Sequence, residues 1–225
     1  MPPSQRKPEE IETIREEMLN HALELIAASG YKGFSMRKLA TRLGIAAKTI
    51  YNYFHNKDEI YLSILTRGFE TLHGRCTTAN AAHRDPMEKI AAMCREYMDF
   101  GLDHANLYNL MFTWHVPKFR DYIGTDMEPA AQLELDSALK VSRLFIDAIS
   151  ICANGSTSVT EDEARFLMIQ LWSQAHGYIA GINNTLLDYM HETPLAIKER
   201  LIENMLANFR TAAGLHGNNP PGRRP

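Results

Sequence analysis

The feature that most constrains the fold is a pair of short helical patterns separated by a single glycine. In the first pattern, apolar residues recur at the spacing of a helix with one buried face, at Met36, Leu39, Ala40 and Leu43. Ser35 is a candidate N-cap for this helix, and Gly44 can end it in the left-handed conformation. The second pattern directs Ile45, Ile50 and Phe54 towards the core and leaves polar side chains outside, at Lys48, Thr49, Tyr51 and Tyr53. Such a pair predicts a helix-turn-helix whose second helix reads double-stranded DNA.

Positive charge is concentrated in the same segment. Residues 30 to 57 contain six Lys and Arg residues and no Asp or Glu, whereas the whole chain has 24 basic and 27 acidic residues. The rest of the chain therefore carries 18 basic against 27 acidic residues. An acidic protein with one basic segment has a local surface suited to phosphate, which its net charge of −3 does not indicate.

These residues resemble the DNA-binding domain of the TetR family of bacterial transcriptional regulators. The resemblance is carried by residues 33–37, 39–40, 43–45, 49–54 and 57–60. One departure is Ala46, where the family often has a Ser or Thr that caps the recognition helix. The resemblance implies an all-α fold, in which an N-terminal three-helix DNA-binding domain is joined by a linking helix to a C-terminal helical domain for ligand binding and dimerisation.

The resemblance also implies roles for individual residues of the basic segment. Candidates for contact with base edges are Arg37, Ala47, Lys48 and Thr49. Lys48 can donate to guanine, and the methyl groups of Ala47 and Thr49 can meet thymine methyls. Candidates for phosphate contact are Tyr51, Tyr53 and Lys57, with packing as the alternative role of Tyr51.

Periodicity and capping signals predict nine helices and no strand. The first helix covers about residues 9–29 and is stopped by Gly30; the fourth runs from an N-cap at Asn56 to about residue 77, followed by a polar connector at 78–84. Later helices are expected at about residues 86–102, 106–115, 125–152 and 160–189 and from residue 194 onwards, with a loop at 154–158. Asp85 is the candidate N-cap of the helix at 86–102, and Thr160 opens a capping box at the start of the eighth helix. We therefore expect a disordered arm (1–8), a DNA-binding domain with linking helix (9–77), an effector-binding and dimerisation domain (80–212) and a disordered tail (213–225).

Composition is that of a soluble globular protein, with 45% hydrophobic and 23% charged residues. No apolar run approaches the length of a membrane span, and the first ten residues contain no hydrophobic signal region, so we expect a cytoplasmic protein. Cys76, Cys94 and Cys152 are widely spaced without a metal-ligand pattern. We interpret them as reduced core residues, with redox sensing as the alternative.

The second domain is rich in methionine and aromatic residues, which first of all indicates a core. Polar-tipped residues interleaved with the apolar ones favour a ligand cavity. Residues 108–112 and 171–177 resemble a TetR ligand-binding domain type named for its Trp-His-Gly residues. That resemblance implies a pocket for a small, largely apolar effector, and the candidate contacts are Met93, Tyr97, Met111, Phe112, His115, Phe145, Trp172 and His176. A structural role is the alternative for His176, since a buried histidine is most often hydrogen-bonded within the core.

The eighth helix is apolar nearly all round between Phe166 and Leu187, which predicts burial on both sides. Together with the apolar stripe of the ninth helix, it agrees with the four-helix bundle through which the family forms homodimers. Candidate interface residues are Leu171, Tyr178, Ile182, Leu201, Met205 and Phe209.

These patterns together with the family resemblance imply a homodimeric regulator, a repressor whose recognition helices enter the major grooves of a palindromic operator and which an effector releases by moving the fourth helix. We expect no catalytic site, no cofactor, no metal and no membrane partner. The alternatives are an activator of the same family, a DNA-binding protein without an effector, and a helical small-molecule enzyme or carrier. The enzyme is disfavoured because the sequence has no glycine-rich phosphate loop, no nucleophile with a base and no metal-ligand spacing.

Overall fold

In the computed structural model, which describes residues 7–153 and 159–215, the chain folds into nine α-helices without a strand. The helices are α1 (Pro8–Gly33), α2 (Met36–Leu43), α3 (Ala47–Ile50), α4 (Lys57–Ala82), α5 (Pro86–Asp103), α6 (Ala105–Tyr108), α7 (Glu128–Ala153), α8 (Glu161–Asn183) and α9 (Lys198–Ala212). One π-helical turn (Asn109–Thr113) follows α6, and single 3-10 turns occur at Phe119–Tyr122, Leu187–Tyr189 and Pro194–Ile197. The all-α prediction is confirmed. The predicted arm and tail fall mainly on residues 1–6 and 216–225, and the predicted loop on 154–158, which lie outside the described residues.

The chain divides into two compact units, each assembled from two stretches of sequence. The first unit is drawn from Met1–Thr71 and His104–Ala138, and the second from Leu72–Asp103 and Leu139–Pro225. Because these boundaries fall inside α4 and α7, each of those two helices contributes residues to both units.

The core of the first unit is built where α1 packs on α2 and α2 packs on α3. On α1, Met18, Ala22 and Ile26 are buried at intervals of four residues, which is the spacing of one helix face. Leu39 of α2 and Ile50 of α3 are completely buried as well. Of the stripe predicted for α2, Met36, Leu39 and Ala40 are buried, whereas Leu43 is only half-buried.

The predicted end of the first helix is a break rather than a stop. Gly30 has φ 71° and ψ 163°, values that a residue with a side chain rarely adopts, and the chain then makes one further turn to Gly33. The break redirects the residues that follow it, including Tyr31.

The predicted connector at 78–84 is wrong over residues 78–82, which continue α4. Three of these five residues are alanines, the strongest helix formers, and the hydroxyl of Thr78 donates to the carbonyl of Gly74 at 3.0 Å within the helix. The helix-breaking signal comes later, at Asp85, whose carboxylate accepts the backbone N–H groups of Met87 (2.9 Å) and Glu88 (3.0 Å) as the predicted N-cap of α5.

The eighth helix begins as predicted, with the hydroxyl of Thr160 accepting the N–H of Glu163, but it ends at Asn183 rather than near Tyr189. The side-chain amide of Asn184 donates to the carbonyl of Ala180 at 2.8 Å, and Thr185 has φ 57°. Asparagine side chains that bond to backbone carbonyls compete with continuation of the helix, which explains the earlier end.

In the second unit, α8 packs against α5 and α9, and α5 packs against α9. Arg95 of α5 forms an ion pair with Glu199 of α9 at 3.0 Å, across the surface of that packing.

All three cysteines are reduced and buried, which confirms their interpretation as core residues. None of the described helices combines the length and the apolar character that a membrane span requires.

Replacement of Gly44 tests the turn between α2 and α3. Gly44 has φ 67° and ψ 26°, and no atom lies within 4 Å of the position that a Cβ would take, so the cost of Gly44→Ala comes from the backbone alone. We expect a loss of about 1–2 kcal/mol in the free energy of unfolding, measured by urea denaturation. Gly74 lies inside α4 in equally open surroundings, so Gly74→Ala is the matched control and gains roughly 0.5–1 kcal/mol. A loss of the same size in both variants would contradict the assigned turn.

Thiol labelling tests the burial of the cysteines. Burial raises the pKa of Cys76 and of Cys94 to about 12, far above the usual value of about 8.5, so almost no thiolate is present at pH 8. We expect neither residue of the native chain to react with a thiol-specific disulfide reagent at pH 8, and both to react once the chain is denatured. Rapid labelling of the native chain would restore the redox-sensing alternative.

Candidate DNA-binding surface and effector-binding residues

Residues 35–54, hereafter the recognition unit, form the predicted helix-turn-helix. The hydroxyl of Ser35 accepts the N–H of Lys38 at 3.3 Å, which confirms the predicted cap of α2. The left-handed Gly44 then ends α2, and Ile45 donates its N–H back to the carbonyl of Ala40 at 3.1 Å. Ala46 provides no side-chain cap, and α3 is a single turn of four residues.

The recognition unit separates buried from exposed residues nearly as predicted. Ile50 and Phe54 are buried, whereas Lys48 is exposed and the side chain of Tyr51 is 53% exposed. Ile45 is predicted to face the core and Tyr53 to face solvent, but both are only half-buried. Ala47 and Thr49 are half-buried as well.

Arg15 of α1 contacts the last two residues of the recognition unit, Tyr53 and Phe54, and this contact was not predicted from the sequence. Its guanidinium lies 4.2 Å from the centre of the Phe54 ring and donates to the carbonyl of Tyr53. Both contacts join residues almost 40 positions apart, and one of them is to the backbone. No local sequence pattern signals such a contact.

The six basic residues of the segment differ in their availability. The ammonium of Lys38 donates to the carbonyl of Gly33 at 2.7 Å, and Arg42 forms an ion pair with Glu24. The side chains of Arg37 and Lys48 are exposed and have no ion pair or hydrogen bond to any other residue in the described ranges. These two cations are therefore free to meet the negatively charged groups and base edges of DNA.

The start of α4 lies beside the recognition unit in the chain and is capped as predicted. The side-chain oxygen of Asn56 accepts the N–H of Glu59 at 2.8 Å. The ammonium of Lys57 lies 4.4 Å from the centre of the Tyr31 ring, and the hydroxyl of Tyr31 donates to the carboxylate of Asp58. Burial raises the pKa of the Asp58 carboxyl above its usual value.

Three of the predicted effector contacts lie together in the second unit. The indole N–H of Trp172 donates to the hydroxyl of Tyr97 at 2.9 Å, and its ring stacks on His176 with centroids 4.9 Å apart and planes 12° apart. Trp172 is still 38% exposed, and burial lowers the pKa of His176. Met93 and Phe145 are buried in the same unit.

The other predicted effector contacts lie in the first unit, on or just after the π-helical turn. Met111 is buried, Phe112 meets the ring of Phe69 edge-on with centroids 5.5 Å apart, and His115 is exposed. At Gly68 of α4, an added Cβ would lie 2.9 Å from the sulfur of Met111. The absence of a side chain at Gly68 thus lets α4 and the π-helical turn approach closely.

Buried polar atoms without a partner are further candidates that the sequence analysis missed. Within the described residues, no hydrogen bond reaches Asn109 Oδ1, the Tyr122 hydroxyl or Ser137 Oγ, and all three atoms are buried. Leaving such a group unpaired costs about 1–3 kcal/mol, so each is a candidate for contact with a ligand or a bound water. Asn109 was detectable as the one amide within the apolar run of residues 107–112.

Most of the predicted dimer residues already pack within one protomer. Leu171, Tyr178, Met205 and Phe209 are buried, and Ile182 and Leu201 are half-buried. Leu171, Met205 and Phe209 also line a groove of about 280 Å³ between α8 and α9. On the outer side of α8, Phe166 and Ile169 are 52% and 51% exposed.

Across residues 7–153 and 159–215, no cluster of three or more side chains suits a metal ion.

Two family models match the chain. Residues 18–64 match the bacterial regulatory proteins of the tetR family, and residues 90–207 match the tetracyclin repressor-like C-terminal domain. The first match contains the recognition unit, and the second covers more than half of the 225 residues.

Curated relatives and a solved structure agree with these matches. The chain is 26% identical over 163 residues to the HTH-type transcriptional activator FasR of Mycolicibacterium smegmatis, across 68% of this chain and 71% of the relative. It is 34% identical over 149 residues to the HTH-type transcriptional repressor KstR of Rhodococcus jostii, across 66% of this chain and 63% of the relative, which is less than two thirds of that protein. The structure of FadR from Bacillus subtilis in complex with stearoyl-CoA has the same fold, with a TM-score of 0.65 and 15% identity over 85% of this chain and 97% of the other.

The fold, the recognition unit and both family matches therefore lead to one assignment. The chain belongs to the TetR family, and it is a DNA-binding transcriptional regulator rather than an enzyme.

Proposed function

We propose that the chain acts as a homodimeric repressor that binds a pseudo-palindromic operator and is released by a small, largely apolar effector. Residues 9–77 serve as the DNA-binding domain with its linking helix, and residues 80–212 serve as the effector-binding and dimerisation domain. The proposal is carried by the two exposed cations Arg37 and Lys48, neither of which pairs with another described residue, on a recognition unit whose inner face is buried at Ile50 and Phe54.

In this proposal, α3 enters the major groove. Lys48 donates to guanine, the methyl groups of Ala47 and Thr49 meet thymine methyls, and Arg37 approaches the bases from α2. Tyr51, Tyr53 and Lys57 contact phosphates, which orients the helix without reading sequence. The 53% exposure of Tyr51 supports a contact outside the core for that residue.

Two protomers join through α8 and α9. The inner face of α8 already packs on α5 and α9, so its exposed outer residues Phe166 and Ile169 require a different partner. The groove lined by Leu171, Met205 and Phe209 accepts side chains of the second copy. These three residues therefore contact the partner although they are buried within one protomer. Tyr178, Ile182 and Leu201 complete the same surface.

The effector contacts the aromatic and methionine residues predicted from the sequence, with Trp172 and His176 as the pair that names the Trp-His-Gly type. The structural neighbour bound to stearoyl-CoA makes a long acyl chain, presented as its coenzyme A thioester, the first apolar effector group to test. Asn109 Oδ1 supplies a polar acceptor among apolar neighbours. Because Gly68 brings the π-helical turn against α4, and α4 begins at Lys57, an effector that displaces this turn also displaces the DNA contacts. Only a ligand that prefers the form not bound to DNA can cause release.

An activator is the second candidate, because one of the two relatives described above is the activator FasR. Both candidates use the same DNA contacts. Transcription from a reporter that carries the selected operator separates them: deletion of the regulator raises expression if it represses and lowers expression if it activates.

Selection of bound sequences from a random duplex pool tests the DNA-binding proposal. We expect a palindromic sequence to be enriched, and its affinity to fall with salt along a slope of about −0.9 for each phosphate contacted.

Tyr51→Ala combined with Lys57→Ala nearly abolishes binding, and Lys48→Ala costs about 1–3 kcal/mol and relaxes specificity at one base pair. Arg42→Ala is the control, since Arg42 pairs with Glu24 within the protein and its loss leaves base specificity unchanged. No enriched sequence at any salt, or full binding by the double variant, would refute the proposal.

Release of the selected duplex by stearoyl-CoA tests the effector proposal. We expect release by stearoyl-CoA but not by coenzyme A alone, because the apolar chain supplies the burial. Trp172→Ala removes both the ring that stacks on His176 and the donor to Tyr97, so it raises the concentration needed for release about tenfold or more while DNA affinity is retained. Failure of acyl-CoAs of every chain length to release the duplex would exclude this ligand class, and an unchanged response of Trp172→Ala would exclude this contact.

A further inference from the structure

Tyr31 occupies an unusual place at the end of α1. The backbone break at Gly30 turns the chain so that Tyr31 no longer continues the face of the helix that precedes it. Its ring packs against the ring of Tyr61 on α4, with centroids 5.0 Å apart and planes 59° apart. Tyr61 is completely buried, and its hydroxyl donates to the carbonyl of Pro117 at 2.8 Å. The ring of Tyr31 therefore packs against a side chain that is itself fixed by burial and by a hydrogen bond.

From this anchored place, Tyr31 contacts both of the residues that begin α4. Its ring lies below the ammonium of Lys57, 4.4 Å from the ring centre, and its hydroxyl donates to the carboxylate of Asp58. Lys57 and Asp58 are neighbours in sequence with opposite charges, and a single side chain holds each of them separately. Nothing in the sequence pattern of residues 57–60 indicates this, because Tyr31 lies 27 positions before Asp58.

We propose that Tyr31 is a positioning residue for DNA binding, and that its ring holds the Lys57 ammonium in place for an operator phosphate while its hydroxyl holds the Asp58 carboxylate away from that ammonium. The inference rests on the proposed function, in which Lys57 contacts phosphate. It adds a residue to the DNA-binding machinery that itself touches no DNA.

Holding the Lys57 ammonium over the Tyr31 ring favours phosphate binding because a free lysine side chain is flexible. A lysine side chain loses rotamer freedom when it binds a phosphate, and a side chain that is already held over an aromatic ring loses less. Lys57 forms no ion pair with another residue of the described ranges and is only half-buried, so its ammonium is available to a phosphate. Because the Tyr31 hydroxyl occupies an oxygen of Asp58, that carboxylate competes less for the ammonium.

Tyr31 also packs in the first unit, so loss of affinity alone would not distinguish positioning from folding. Two readouts do distinguish them. The slope of affinity against salt reports the number of phosphates contacted and is insensitive to a uniform loss of folded protein. A double-mutant cycle with Lys57 reports whether Tyr31 acts through that lysine.

The experiment measures the dissociation constant of the full chain for its selected duplex by fluorescence anisotropy, from low to high salt, with the wild-type chain as reference. Tyr31→Leu removes ring and hydroxyl, and we expect about 5- to 30-fold weaker binding for a dimer together with a salt slope that falls by up to about one per protomer. In a Lys57→Ala background the same change has no more than about a twofold effect. Tyr31→Phe keeps the ring but frees the Asp58 carboxylate, so we expect a smaller loss of affinity and slope than for Tyr31→Leu, and adding Asp58→Asn to Tyr31→Phe restores the wild-type salt slope.

Each of the other results overturns the inference. An unchanged slope for Tyr31→Leu, or an effect of full size in the Lys57→Ala background, shows that Tyr31 does not act through Lys57. If Tyr31→Leu fails to fold, the double variant Tyr31→Phe with Asp58→Asn decides, because it keeps the ring and removes the competing carboxylate; a reduced slope in this double variant refutes the role of the ring. A wild-type chain that binds no duplex at any salt refutes the proposed function as well, and this outcome is visible before any variant is tested.

Discussion

The orientation of α3 depends on burial behind it rather than on the helix itself. A helix of four residues has too few internal hydrogen bonds to be stable alone, and Ala46 gives it no side-chain cap. Its place is set by three contacts: Ile50 and Phe54 are buried, the left-handed Gly44 directs the chain into it, and Arg15 binds the Tyr53 carbonyl at its far end. In the proposed complex, the exposed Lys48 reads DNA because these contacts hold the helix in place. The proposed recognition thus depends on core packing in the first unit.

The same constraint extends to α4. This helix begins with Lys57, carries Gly68 against the π-helical turn and continues into the second unit as far as Ala82. In the proposed release by an effector, this helix of 26 residues transmits a change of contact near Gly68 to its first turn. The relatives include both a repressor and an activator.

Local sequence signals predicted the elements whose cause is local. The Ser35 cap, the Gly44 turn, the Asp85 cap and the Thr160 start all follow from residues within a few positions of each other. The errors arose where the determining contact was weak or distant. The alanines after Thr77 carry no apolar periodicity although they are strong helix formers, and the end of α8 depends on asparagine side chains that bond to backbone carbonyls. At the candidate sites, residue types were predictable and partners were not, because Trp172 meets Tyr97 across 75 positions and Tyr31 meets Asp58 across 27.

In the proposed complex, two copies of the recognition unit dock side by side on one duplex. Hydroxyl-radical footprinting of the selected duplex with the full chain measures this arrangement. We expect two protected patches on each strand, related by a two-fold axis and centred about 10 base pairs apart or slightly more, at a stoichiometry of two chains for each site. A single patch without two-fold symmetry, or uniform protection along the duplex, would contradict it.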